Sequence, residues 1–390
     1  MSANAGELTL VAVGDVSPSR ADPASIFRHC GDTFTSADVV FGQMESPMSA
    51  RGTPMFVPHS PVKIAPSNLA ALTKDIGAGF DVMSFACNHA VDYGFDAFHD
   101  TLTHLGEGGI AVCGAGRNMA EARKPAIVTR GDTRIGFLAY LSIVFPGIVA
   151  EDDTPGCAPL RATTEYRQVD FQPGTPPLIV TKLYPEDRAA MEEDVRKLKE
   201  QVDVVVVSMH AGVHVVPMIV ADYQREAAYA AIDAGADLVL QHHSHILKGI
   251  EVYKDKAIFY CLNNFALEYN RLVPNPKKAW DLGYRKLFHD FYKVKAHPDN
   301  PKHRFHFDAL KTVAAKAYIR NKTIEKVTYL PTYVNRDLEP EVLKRSDPRA
   351  QEVFDYVEKI SAEAEMNVSF SWEGDEVRVS PAPRGIASAH

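Results

Sequence analysis

The stretch Ala236-Asp237-Leu238-Val239-Leu240-Gln241-His242-His243-Ser244-His245 decides how this chain is read. A short, mostly apolar run follows Gly235 and has the length of a buried strand, and three imidazoles then crowd into residues 242–245. Histidines at the carboxyl end of such a strand stand where open α/β sheets build their sites. Neutral imidazole keeps a lone pair free near pH 7, which makes it the commonest metal ligand. Taken singly, a histidine is more often a surface residue or a satisfied core residue, so the cluster needs company before it carries chemistry.

Moving outward, that company is found at other strand ends. Apolar runs at residues 8–13, 38–42, 80–85, 134–140, 202–209 and 256–262 have strand length, and helix-period segments at 67–76, 95–105, 187–200 and 223–234 lie between them. Strands alternating with helices predict a mainly parallel sheet covered on both faces. Asp15, Glu45, Asn88-His89 and His210 each follow a different one of these runs, as the 242–245 cluster does. Parallel strands end on one edge, so donors far apart in sequence converge in one cleft. Alone, Asp15 reads as a turn aspartate after Gly14, and Asn88 as a helix cap. Together, carboxylates, an amide oxygen and imidazoles suit a divalent ion such as Mn²⁺, Fe²⁺ or Zn²⁺.

Composition limits the remaining classes. With 390 residues, one large domain with an appendage or two domains is expected. A net charge of −8 argues against a non-specific nucleic-acid binder. Five scattered cysteines without a C-x-x-C pair favour isolated thiols in a reducing compartment over a disulfide framework or a structural zinc. Residues 1–10 show no basic segment ahead of an apolar one, and no apolar run reaches the ~20 residues of a membrane span. A soluble, cytoplasmic protein is the expectation. Residues 270–312 are rich in Pro, Lys, Arg, His and aromatics (Lys277, Lys278, Trp280, Tyr284, Phe288, Phe291, Tyr292) and read as a lid or insertion. Residues 314–330 read as a hairpin with Asn321-Lys322 at its turn, 347–364 as an amphipathic helix and 380–390 as a loose tail.

The segments Val13-Gly14-Asp15, Met44-Glu45-Ser46-Pro47, Asn88-His89-Ala90-Val91-Asp92-Tyr93-Gly94, His210-Ala211-Gly212, Gln241 through Tyr253, and Asn263-Asn264-Phe265 occur in unbroken order over about residues 8–268. In these the chain resembles the CapA-type family, named for poly-gamma-glutamate capsule synthesis and related to calcineurin-like metallophosphoesterases. The resemblance implies an α/β fold, a four-layer αββα sandwich, with a catalytic domain at 1–269, the lid at 270–312, and strands and a helix at 313–390 completing the domain. It implies two divalent ions, Mn²⁺ first with Fe²⁺ or Zn²⁺ as alternatives, held by Asp15, Glu45, Asn88, His210, His243 and His245. His89 would be a general acid or electrostatic partner oriented by Asp92, and Ser17, His242 and Asn264 would meet the substrate.

Departures from the pattern bear on the reaction. Metallophosphoesterases carry Asp-x-His in the first motif, and here the third position is Ser17. Where the family tends to read His-Trp-Gly-x-Glu, this chain has Ala211 and His214, which widens a pocket and adds a proton-transfer group beside the metals. Gln241 and Asn263 stand where Gly is usual. Membrane-bound capsule-synthesis members carry an amino-terminal anchor, whereas this sequence begins within a few residues of its first strand. The expectation is therefore a soluble enzyme hydrolysing an ester, amide or phosphoester of a small molecule or peptide by metal-activated water. Rival readings are a lyase or epimerase using His89 and His214, a nuclease-like phosphodiesterase, and a non-catalytic binding module. Substrate choice is expected to lie in residues 144–186 and 270–310.

Overall fold

Val204–His210 reads Val-Val-Val-Val-Ser-Met-His and is buried along its whole length. An apolar run without alternation suits a parallel strand covered on both faces. In the computed structural model, which describes residues 7–55, 61–268 and 305–383, it lies between Thr133–Leu141 and Leu238–His242, and all three run parallel. Lys256–Phe259 continues the parallel set, while Ala126–Arg130 and Ile250–Tyr253 close the edges antiparallel. This six-stranded layer is called the second sheet below.

The first sheet is built around Glu7–Ser17. Val39–Met44, Val82–Ser84 and Ala111–Cys113 succeed one another on one side, all parallel. On the other side Lys311–Arg320, Thr323–Val334, Glu376–Ser380 and Ser369–Glu373 run antiparallel. Asn264–Leu267 pairs parallel with the last residues of the first strand, Asp15–Ser17. The long hairpin turns at Asn321 and Lys322, both with positive φ (49° and 65°), the backbone of a tight two-residue turn.

The two sheets pack face to face. Phe41 and Phe137, one from each, stack with ring centroids 5.5 Å apart. Their strand neighbours point the other way: a Cβ on Gly136 would lie 2.8 Å from Leu198 of the helix Pro185–Lys199, and one on Gly42 would lie 2.7 Å from the Phe80 ring. Pro185–Lys199 and Asp222–Ala234 cover the outer face of the second sheet. The helix Gly94–Glu107 and the 3₁₀ turns Pro23–Phe27 and Pro66–Ala71 cover the first. Helices, sheet, sheet and helices make four layers. The single mainly parallel sheet that the alternation predicts is replaced by two mixed sheets, because each parallel set has one face covered by the other and the strands beyond residue 310 enter antiparallel.

Of the predicted lid, residues 270–304 lie outside the described residues, including Lys277, Lys278 and the aromatics from Trp280 to Tyr292. So does the tail beyond residue 383. Within 144–186, Ala162–Arg167 and Leu178–Leu183 form a separate hairpin that leans on the helix Asp222–Ala234. No helix among the described residues is long and apolar enough to cross a membrane.

Candidate metal centre

Gly14 sets the first donor. A Cβ there would fall 1.7 Å from the carbonyl oxygen of Asn263, so only glycine lets the strand approach the segment leaving the second sheet. The Asp15 N–H donates to that same carbonyl at 3.0 Å. The register slips on both sides of this point, between Ala12 and Asp15 against one neighbour and between Asp15 and Val16 against the other. Bulges of this kind re-aim a side chain, and Asp15 ends fully buried at the seam between the sheets.

The donors gather there in two groups. Asn88 Oδ1 lies 2.8 Å from His210 Nε2 and 3.2 Å from His243 Nδ1, and the two ring nitrogens are 3.2 Å apart. Donor atoms about 2.0–2.2 Å from one ion and at right angles stand about 3 Å apart, so this triangle has the dimensions of one face of a coordination sphere. In the other group, Asp15 Oδ2 lies 3.4 Å from His245 Nδ1. Glu45 stands between the two, with Oε2 3.7 Å from His210 Nε2 and Oε1 3.7 Å from His245 Nε2. One carboxylate facing both groups is the arrangement a bridging ligand needs. Asp15, Glu45 and His210 each bring a donor atom within 4.8 Å of the others.

Burial keeps the imidazoles in the form that can donate a lone pair. Desolvation first, then neighbouring imidazoles, hold His210 and His243 well below the usual histidine range. His242 is pushed down to about 4 by burial, with Asp15 partly opposing. Both oxygens of Asp15, Nδ1 of His210 and both ring nitrogens of His242 are buried without a hydrogen-bond partner among the described residues. The two Asp15 oxygens among them, at about 1–3 kcal/mol each, are a cost that a bound cation would relieve. Donors of this kind, with these separations, fit divalent cations. The backbone is strained here as well: His243, His245 and Asn263 all have positive φ (90°, 50° and 68°), which costs about 1–3 kcal/mol per residue.

The remaining predicted residues fall around this core. His89 Nδ1 lies 2.7 Å from Asp92 Oδ2, and the same carboxylate oxygen accepts from the Val62 N–H at 2.7 Å. His214 stacks on His243 at 4.1 Å and lies 5.2 Å from His245, so the residue replacing the usual Glu stands over the imidazole group. Asn264 Oδ1 lies 2.6 Å from His245 Nδ1, and an Nδ1–H donated there leaves Nε2 facing Glu45. Ser17 donates to Ser46 Oγ at 2.8 Å. Ser17 and His242 are fully enclosed, which puts them behind the donors rather than among groups a substrate would meet. Both usual-glycine positions have structural roles: Gln241 pairs with Gln224 at 2.7 Å on the outer face, and Asn263 Nδ2 donates to the carbonyls of Ala309 and Lys311 at 2.9 and 2.7 Å.

Two residues join the site that the sequence reading passes over. Lys248 is buried and donates to the backbone carbonyls of Val216 and Ile219, holding the loop that carries His214. Burial pushes its ammonium down to about 7. Its only sequence signal is a lysine inside the apolar run Ile246-Leu247-Lys248-Gly249-Ile250. Phe305 lies with its ring 4.5 Å from His245.

Residues 9–269 match the family model described as bacterial capsule synthesis protein PGA_cap. The chain is similar to the PGA biosynthesis protein CapA of Bacillus subtilis (strain 168), 28% identical over 245 residues, 63% of this chain and 57% of that protein. It is similar to the capsule biosynthesis protein CapA of Bacillus anthracis, 26% identical over 276 residues, 67% of this chain and 60% of that one. The matched region thus spans less than two thirds of either relative. Among solved structures, the calcineurin-like phosphoesterase YfkN from Bacillus subtilis aligns over 91% of this chain and 99% of its own at 10% identity, with a TM-score of 0.37. That likeness is too remote to bear on residue roles.

Proposed function

The chain belongs to the bacterial capsule synthesis protein PGA_cap family, and on that premise we propose that it is a divalent-metal-dependent hydrolase with a dinuclear centre. Asp15, Glu45 and His245 would hold one ion, and Glu45, Asn88, His210 and His243 the other, with Mn²⁺ first and Fe²⁺ or Zn²⁺ as alternatives. The substrate class is an ester, amide or phosphoester of a small molecule or peptide. The carrying observation is Glu45, whose two oxygens face two donor groups at equal distance, beside an Asp15 carboxylate buried without a hydrogen-bond partner among the described residues. When bound, such cations supply Lewis acidity toward water and a substrate oxygen.

The chain's own residues do the rest. Asp92 holds the Nδ1 side of His89, and Nε2 would be the atom that holds or delivers a proton to a leaving group. Asn264 fixes His245 in the same way. The names of two relatives concern PGA and capsule biosynthesis, and an amide-linked glutamate oligomer is one substrate to test on that account. A second reading, proton transfer without hydrolysis as in a lyase or epimerase, draws support from His214, a titratable ring stacked over His243 where the family tends to carry a carboxylate.

The test is metal analysis of chain purified without chelators, followed by turnover of p-nitrophenyl phosphate, p-nitrophenyl acetate and γ-glutamyl peptides in ¹⁸O-labelled water. Two equivalents of metal, loss of turnover on chelation and recovery with Mn²⁺ are expected, with label in the new oxygen of the product. Turnover without label would favour proton transfer. Less than one equivalent of metal, with indifference to prolonged chelation, would sink both readings.

A further inference from the structure

His242 is the most enclosed of the clustered histidines and the one the dinuclear reading leaves unused. It closes the strand Leu238–His242. Strand alternation turns it inward, on the face of Leu240, and its ring centroid lies 6.2 Å from that of Phe41 across the gap between the sheets. The residue has no exposed surface, and neither ring nitrogen has a hydrogen-bond partner among the described residues. An imidazole with both nitrogens unsatisfied is a poor choice for filling such a gap, since an apolar ring of the same size fills it without that penalty.

Its nearest charged neighbour is Asp15. Nδ1 of His242 lies 3.9 Å from Asp15 Oδ1, which also has no hydrogen-bond partner among the described residues. That separation is too long for a hydrogen bond, so the ring does not orient the carboxylate directly. It is within reach of two donors sharing one ion, since bonds of about 2.0–2.2 Å place them at most about 4.4 Å apart. The other oxygen of Asp15 lies 3.4 Å from Nδ1 of His245, whose Nε2 is 3.7 Å from Glu45 Oε1. Without His242, the ion between Asp15, Glu45 and His245 has three protein donors, whereas the ion between Glu45, Asn88, His210 and His243 has four.

We propose that His242 is the fourth protein ligand of the ion held by Asp15, Glu45 and His245, reaching it from beneath, between the sheets. This rests on the dinuclear reading above. Each ion then has two imidazoles, and the first is gripped from both sides of the seam.

The test takes the full chain, strips it of metal, labels its histidines with ¹⁵N, and titrates it with Zn²⁺ in competition with a chromophoric chelator. Wild type should bind two equivalents, and four imidazoles (residues 210, 242, 243 and 245) should lose the ring-nitrogen resonance of a free, unprotonated imidazole on loading. H242Q should weaken one equivalent at least about tenfold and leave the other in place, with an unchanged circular dichroism spectrum. Two equivalents held by H242Q at wild-type strength, or three coordinated imidazoles in wild type, would overturn the inference while the dinuclear reading stands. Wild type that binds no Zn²⁺ would overturn that reading and the inference with it. Should H242Q fail to fold, the count of coordinated imidazoles in labelled wild type decides.

Discussion

The first sheet brings oxygen to the centre and the second brings nitrogen. Asp15, Glu45 and Asn88 follow or end strands of the first, whereas His210, His242, His243 and His245 end or follow strands of the second. Each set is a liability alone. Among the described residues Asp15 has no lysine or arginine within ion-pair distance, and the imidazoles are crowded where burial opposes their charging. The contrast teaches that the two layers supply complementary donor chemistry to one seam, and that they should respond to perturbation in different ways.

The largest effect is expected on the oxygen side. Asp15→Asn should lower activity by more than about 100-fold and abolish one equivalent of metal, since a ligand matters at least as much as its supporting partners. In metal-free protein the same substitution should stabilise the fold by about 1–3 kcal/mol, because a fully buried carboxylate without a hydrogen-bond partner becomes a neutral amide whose burial costs less. Urea unfolding of both proteins under chelation checks this. An Asp15→Asn chain less stable than wild type without metal would break the comparison.

The nitrogen side should show itself through pH. Unfolded histidines take up protons below about 6.5, whereas burial holds His242 neutral down to about 4 and His210 and His243 well below the usual range. The unfolded state therefore binds more protons across that window. The stability these histidines contribute to the metal-free chain is fully present above pH 6.5 and falls as pH drops toward 4, with His242 alone contributing about 3 kcal/mol. Urea midpoints between pH 4 and 7 measure it, and a flat profile would remove the nitrogen half of the contrast.

The smallest effect tests the seam. Asn263→Gly relieves a left-handed backbone, which is worth about 1 kcal/mol, but removes two hydrogen bonds to buried carbonyls worth about 1 kcal/mol each. A net loss of about 1 kcal/mol is expected from thermal unfolding. A gain would mean the bonds from Asn263 to the 309–311 segment do not brace the site.

Much of this centre is legible in the sequence, because each donor sits at or just past an apolar run and parallel runs end together. What the sequence hides is direction. His242 and His243 are neighbours, yet alternation sends one between the sheets while a positive φ turns the other toward Asn88. Lys248 passes as an ordinary residue until its burial and its two carbonyl partners are seen. In the fold, the helical period at 67–76 yields only the 3₁₀ turn Pro66–Ala71. There the chain doubles back so that the N–H groups of Gly77 and Ala78 reach the carbonyls of Thr73 and Ala71. The hairpin Ala162–Arg167 and Leu178–Leu183 leaves no signal at all, since strands with almost no buried face have no reason to alternate.

The contact between Gly14 and the Asn263 carbonyl has a further meaning for how the molecule is put together. Those two positions are separated by most of the domain, and Asp15 takes its final direction only once they touch. Long loops close late and at an entropic cost. The donor cluster is therefore a product of completed topology rather than a seed for it: a chain halted before residue 260 would carry almost every donor and still lack their shared arrangement.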